Sequence, residues 1–177
     1  MPLFRPVLYQ GRHKRRDYFE GWYFKQVSAG CDSIFSFIPG ISLDAGDPHS
    51  FIQIINGITG KTAYVRYPLE AFSCQSGKLE ITLGNSVFTR SRLHLDIVSE
   101  EISVQGDLAY SGLTEYPSSL RSPGIMGWFS YIPFMECNHE VISADHAVTG
   151  SITVDGALCD RCWSSPPKRW RMPCCVC

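Results

Sequence analysis

Apolar and polar residues alternate with a period of two along much of this chain. Between Ile102 and Tyr110 the even positions are Ile102, Val104, Gly106, Leu108 and Tyr110, and the odd ones Ser103, Gln105, Asp107 and Ala109. That is the pattern of a strand with one face in a core and one in water. The same rhythm sets Leu93, Leu95 and Ile97 against His94 and Asp96, and Leu79, Ile81 and Leu83 against Glu80 and Thr82. It also sets Val148, Gly150, Ile152 and Val154 against Thr149, Ser151 and Thr153. Turn formers fall between the runs: Asn56-Gly57, Thr59-Gly60, Ser76-Gly77, Gly84-Asn85, Glu100-Glu101 and Asp155-Gly156. Glycine and asparagine supply the positive φ that tight hairpins need, so neighbouring strands are predicted antiparallel. No stretch keeps a 3.6-residue period beyond a turn or two. The expectation is an all-β chain with little helix, an up-and-down barrel or a sandwich, and closure into a barrel removes exposed sheet edges.

One segment breaks the rhythm. Residues 112 to 134, GLTEYPSSLRSPGIMGWFSYIPF, carry Pro117, Pro123 and Pro133, which predicts an irregular front half. Ile125 to Phe134 is too apolar to be left in water. Two readings stand side by side: a lid over a cavity, or a plug in which Met126, Trp128 and Phe129 close one end of the barrel.

Composition narrows the partners. The 177 residues suit one domain with a substantial core. Lys and Arg number 16 against 17 Asp and Glu, for a net charge of -1, and only 19% of residues are charged. No whole-chain field favours nucleic acid, and an apolar or mixed small molecule is the expected ligand. The N-terminus has no continuous apolar run of secretory type, and no run is long enough for a membrane helix, so a cytoplasmic protein is expected. The basic stretch Arg12 to Arg16 reads as a solvated lead-in, with peripheral contact to anionic lipid as its alternative. Cys31, Cys74 and Cys137 lie in the body and are expected as thiols, whereas Cys159, Cys162, Cys174, Cys175 and Cys177 crowd the end. That change of composition divides the chain into a β-domain, residues 1 to 157, and a Cys-rich basic tail, residues 158 to 177, expected to be disordered.

Chemistry concentrates in two places. YFEGWYFK, residues 18 to 25, has five aromatic residues in eight, with Glu20 among them. Such a stretch walls a hydrophobic cavity and offers polar handles inside it, or forms plain core. MECNHEVISADHAVTG, residues 135 to 150, gathers Glu136, His139, Glu140, Asp145 and His146, groups whose pKa values move toward neutrality at the mouth of an apolar cavity. Asp145-His146 is as readily a hydrogen-bonded structural pair. A metal held by His139, His146 and a carboxylate lacks HxH or HExxH spacing; GxSxG, P-loop and GxGxxG motifs are missing too. No cofactor is expected.

With YFEGWYFK and MECNHEVISADHAVTGSITVDG, the chain resembles the tocopherol cyclase family over about residues 5 to 157. The resemblance implies a lipocalin-like fold of two consecutive barrel halves, of which this chain holds the first. Where the family continues after Asp155-Gly156, the Cys-rich tail stands instead, which reads as a truncated or frame-shifted ending. The implied activity is ring closure of a prenylated quinol or similar hydrophobic substrate, started by protonating a side-chain alkene. On that reading Asp145, His146 and Glu20 are the catalytic candidates. Trp22, Tyr23, Phe24, Trp128, Met135, Glu136, Asn138 and His139 would contact the substrate, the aromatic faces steadying a cation. The alternatives are a lipocalin-like carrier that binds a hydrophobic small molecule without changing it, and an inactive fragment.

Overall fold

A computed structural model describes residues 8–28, 30–115, 125–131, 140–143, 145–159 and 174–176. The strands are β1 (Phe19–Gly21), β2 (Phe24–Val27), β3 (Ile34–Ser42), β4 (His49–Asn56), β5 (Thr62–Tyr67), β6 (Phe72–Cys74) and β7 (Glu80–Leu83). They continue with β8 (Ser86–Thr89), β9 (Arg92–Val98), β10 (Ser103–Thr114), β11 (Glu140–Ser143), β12 (Asp145–Val154), β13 (Ala157–Cys159) and β14 (Cys174–Val176). Helix among the described residues is limited to 3-10 turns at Gly11–His13, Leu69–Ala71 and Gly127–Tyr131. The fold is all-β, and every strand pairing is antiparallel.

A seven-stranded sheet runs β13-β12-β10-β9-β8-β7-β6. Its inward face carries Ile81, Leu83, Phe88, Leu93, Leu95, Ile97, Val104, Leu108 and Ile152, all but sealed from solvent. Its outward face is wet. There Asp107 accepts hydrogen bonds from Arg92 and His94, and Asp96 accepts from Asn85 and Gln105. The two longest strands of this sheet, β10 and β12, cross very closely at two glycines. A Cβ on Gly106 would lie 2.2 Å from the Ser151 carbonyl oxygen, and one on Gly150 2.1 Å from that of Asp107. Both have φ in the region that only glycine adopts easily, +144° and +117°. Each faces a large partner across the ladder, Gly106 opposite Ile152 and Gly150 opposite Leu108.

In the five-stranded sheet, β1 and β2 both pair with β3, which is followed by β4 and β5. The pairs Gly21↔Gly40 and Phe24↔Phe37 keep one register, so residues 19 to 27 form a single strand interrupted in the middle. The interruption lies opposite Pro39. Trp22 N–H donates to the Pro39 carbonyl at 3.0 Å, but proline has no N–H to return the bond. This sheet is covered on its outer side as well. Phe51 lies over its cross-strand partner Gly40, where a Cβ would come within 2.3 Å of the ring. The Phe51 ring stacks on Phe19 at 5.5 Å and on Tyr64 at 4.8 Å.

The two sheets enclose one core, with Trp22, Phe24, Phe35, Phe37, Ile52 and Ile54 meeting the inward face of the larger sheet. Burying one such side chain contributes about 1.5–3 kcal/mol, so this shared interior holds the sheets together. A third, two-stranded sheet joins β11 to β14. β13 extends the large sheet to Cys159, and Cys174 to Val176 form a short strand on β11. Short apolar and Cys-rich runs pair readily wherever a strand edge is offered.

Candidate functional site

The aromatic octapeptide is spread over two different environments. Trp22 is sealed in the core, its ring 6.0 Å from Phe72 and 6.2 Å from Tyr9. Tyr23 is half-buried and its hydroxyl accepts a hydrogen bond from Ser36 Oγ at 2.8 Å. Phe24 faces inward, 5.5 Å from Phe88.

Glu20 is buried and held by hydrogen bonds from its own chain. Its Oε2 accepts hydrogen bonds from the Gln10 N–H at 3.0 Å, the Gly11 N–H at 3.3 Å and the Tyr18 hydroxyl at 2.6 Å. Burial pushes its carboxyl above the ordinary range, while those three donors pull it back. The same burial and the neighbouring carboxylate push Tyr18 up. The arrangement ties residues 8 to 13 across the end of the core, where Tyr9 packs edge-on against Phe72. These contacts fasten Glu20 to the segment that leads into β1, through Gln10, Gly11 and Tyr18.

A cleft opens instead where β2, β10, β11 and β12 converge. Phe24, Leu79, Leu113 and Ile142 make its apolar wall. Gln26, Tyr110, Ser143 and His146 supply its polar groups, and Lys25 and Arg90 complete its lining. The cleft is small and only partly enclosed. The polar groups form a chain. Gln26 Nε2 donates to the Tyr110 hydroxyl. The Tyr110 ring meets His146 edge-on at 5.0 Å and 75°. Ser143 Oγ donates to the Asp145 carbonyl at 2.8 Å and lies 3.3 Å from His146 Nδ1. Burial lowers the His146 pKa, opposed by the Asp145 charge, so the ring is neutral at pH 7.

Of the residues singled out from the sequence, this cleft unites Phe24 and His146. Asp145 begins β12 with a partly exposed side chain. Trp128 sits in a surface turn, 72% exposed, beside an exposed Phe129. Apolar character alone does not bury a side chain, since much of any protein surface is apolar. Met135, Glu136, Asn138 and His139 lie outside the described residues. Gln26, Tyr110 and Ser143 were not anticipated. A signal existed for two of them, because Gln26 follows Phe24 at strand spacing and Tyr110 ends an inward-facing run.

Among the described residues no group of three or more His, Cys, Asp or Glu could hold a metal ion. Cys31, Cys74 and Cys159 are free thiols. No helix among the described residues is long and apolar enough to cross a membrane. No protein-family model, no curated protein and no solved structure matches this chain.

Proposed function

We propose that this chain binds a small, mostly apolar molecule in the cleft between β2, β10, β11 and β12. The observation that carries the reading is the meeting of an apolar wall with a row of polar groups, Gln26, Tyr110, His146 and Ser143, of which Gln26 and Ser143 are buried. Binding sites typically combine an apolar lining with a few fixed polar groups. Strands carry all four polar groups: β2 holds Gln26, β10 Tyr110, β11 Ser143 and β12 His146. The test is a titration of isotopically labelled protein with 1-hexanol, followed by amide chemical shifts. Shifts should concentrate at Gln26, Tyr110, Ile142 and His146, and Leu113→Trp, which fills the cleft, should abolish them. Shifts scattered over the surface and indifferent to Leu113→Trp would rule the reading out.

The cyclisation implied by the resemblance to tocopherol cyclases is the second reading, favoured by the Asp145 charge acting on His146. It requires an acid within reach of an alkene. No carboxylate belongs to the cleft's described lining, and a neutral imidazole is a poor proton source. Binding therefore ranks ahead of turnover. Asp145→Asn separates the two, because a cyclase loses turnover with its ligand affinity nearly intact, whereas a binding protein has no turnover to lose.

A further inference from the structure

One polar atom in the cleft wall has no partner. Gln26 is 1% exposed, and its Oε1 is fully shielded without a hydrogen bond. Leaving a buried acceptor unsatisfied costs about 1–3 kcal/mol, so such atoms commonly mark a place where something else binds. The other end of the amide is committed to Tyr110.

We infer that the ligand of this cleft is an aliphatic alcohol, whose hydroxyl enters the enclosed part and donates to Gln26 Oε1 while its chain lies along Phe24, Leu79 and Ile142. The inference rests on the binding reading above and specifies the ligand's polar end. Three observations carry it. The wall beside Gln26 is apolar, made by Phe24, Leu79 and Ile142, which suits a methylene chain. The unpartnered atom is an acceptor, so a carboxylate there would set lone pair against lone pair. The amide can also turn over, with Tyr110 then donating to Oε1 and Nε2 left to seek an acceptor; a hydroxyl, being both donor and acceptor, serves either arrangement.

The experiment compares 1-hexanol with 1-methoxypentane, an ether of equal heavy-atom count without a donor, and with phenol. Each is titrated against the full chain and its Gln26→Met variant, with Kd taken from amide shifts. The native chain should bind 1-hexanol roughly tenfold more tightly than the ether, the scale of one buried hydrogen bond. In Gln26→Met the two should bind alike. Equal affinity for alcohol and ether in the native chain overturns the inference while the binding reading stands. So does tighter binding of phenol, or a preference that survives in Gln26→Met. Failure of all three to bind overturns both. Should Gln26→Met not fold, the native chain decides: the Gln26 side-chain amide resonances should shift with 1-hexanol and not with 1-methoxypentane, and equal shifts overturn the inference.

Discussion

Replacing Glu20 by leucine tests whether this buried carboxylate is a fastener or an acid. Two backbone N–H groups and one phenol lose their acceptor, the shortest of the three contacts being 2.6 Å. A hydrogen bond to a charged group contributes about 1.5–3 kcal/mol. The full sum is not lost, because the freed strap can swing out and let water satisfy its donors, and because the cost of burying the charge disappears with it. The balance is a weakening of strap closure by about 2 kcal/mol. At 1.4 kcal/mol per decade, that is roughly thirtyfold faster hydrogen exchange at the Gln10 and Gly11 amides. Glu20→Gln is the control. All three donors converge on Oε2, a position an amide oxygen can fill, so exchange there should stay near the native rate. Unchanged exchange at Gln10 and Gly11 in Glu20→Leu would refute the fastening role. Loss of turnover in Glu20→Gln with the strap still protected would return Glu20 to the acid role.

Trp22→Ala, which empties a sealed core site, should cost about 3–5 kcal/mol in denaturant unfolding; a loss under 1 kcal/mol would mean that the ring is not held between Tyr9 and Phe72. Gly150→Ala places a methyl 2.1 Å from the Asp107 carbonyl oxygen at a φ of +117° and should destabilise by upwards of about 3 kcal/mol, whereas Gly156→Ala, in an open turn, should cost about 1 kcal/mol. The pH dependence has a defined sign at two groups. His146 has its folded pKa lowered by burial, so its contribution to stability is complete above the unfolded value of about 6.5 and is lost as pH falls through the lowered one. His146→Gln should flatten that acid-side slope, and an unaltered slope would contradict the burial. Glu20 has its folded pKa raised, so its contribution is greatest below its unfolded value and declines as pH rises through the folded one; Glu20→Gln should remove that decline.

The seven-stranded sheet was legible because one of its faces is wet. Leu93, Leu95 and Ile97 alternate with His94 and Asp96 as a half-buried strand must, and the structure buries the first three. β3 and β4 gave no comparable alternation, since Phe51 and Tyr64 cover the outer side of their sheet and remove the need for polar residues there. The turn at Asn56-Gly57 was found for a partly wrong reason. Its positive φ falls at Gly60, and Gly57 is small because the Ile34 side chain occupies its Cβ space. In the cleft, Phe24 and His146 were legible from composition, but their neighbours were not. Gln26 meets Tyr110 across 84 positions of sequence, and no local pattern reports such a contact. Aromatic company at Glu20 suits an acid in a cavity, and it suits a carboxylate that fastens its own chain equally well.

The missing rung at Pro39 has a mechanical consequence. The strap and β1 form one side of the interruption and are fastened to each other through Glu20, while β2 lies on the other side with Phe24 anchored inside. Tension applied at the N-terminus would peel the first group away like a tab, rung by rung, until it reached Trp22. There the load passes from a few perpendicular bonds to a ring locked between the sheets, so force spectroscopy should record a small early release followed by a single, much larger rupture.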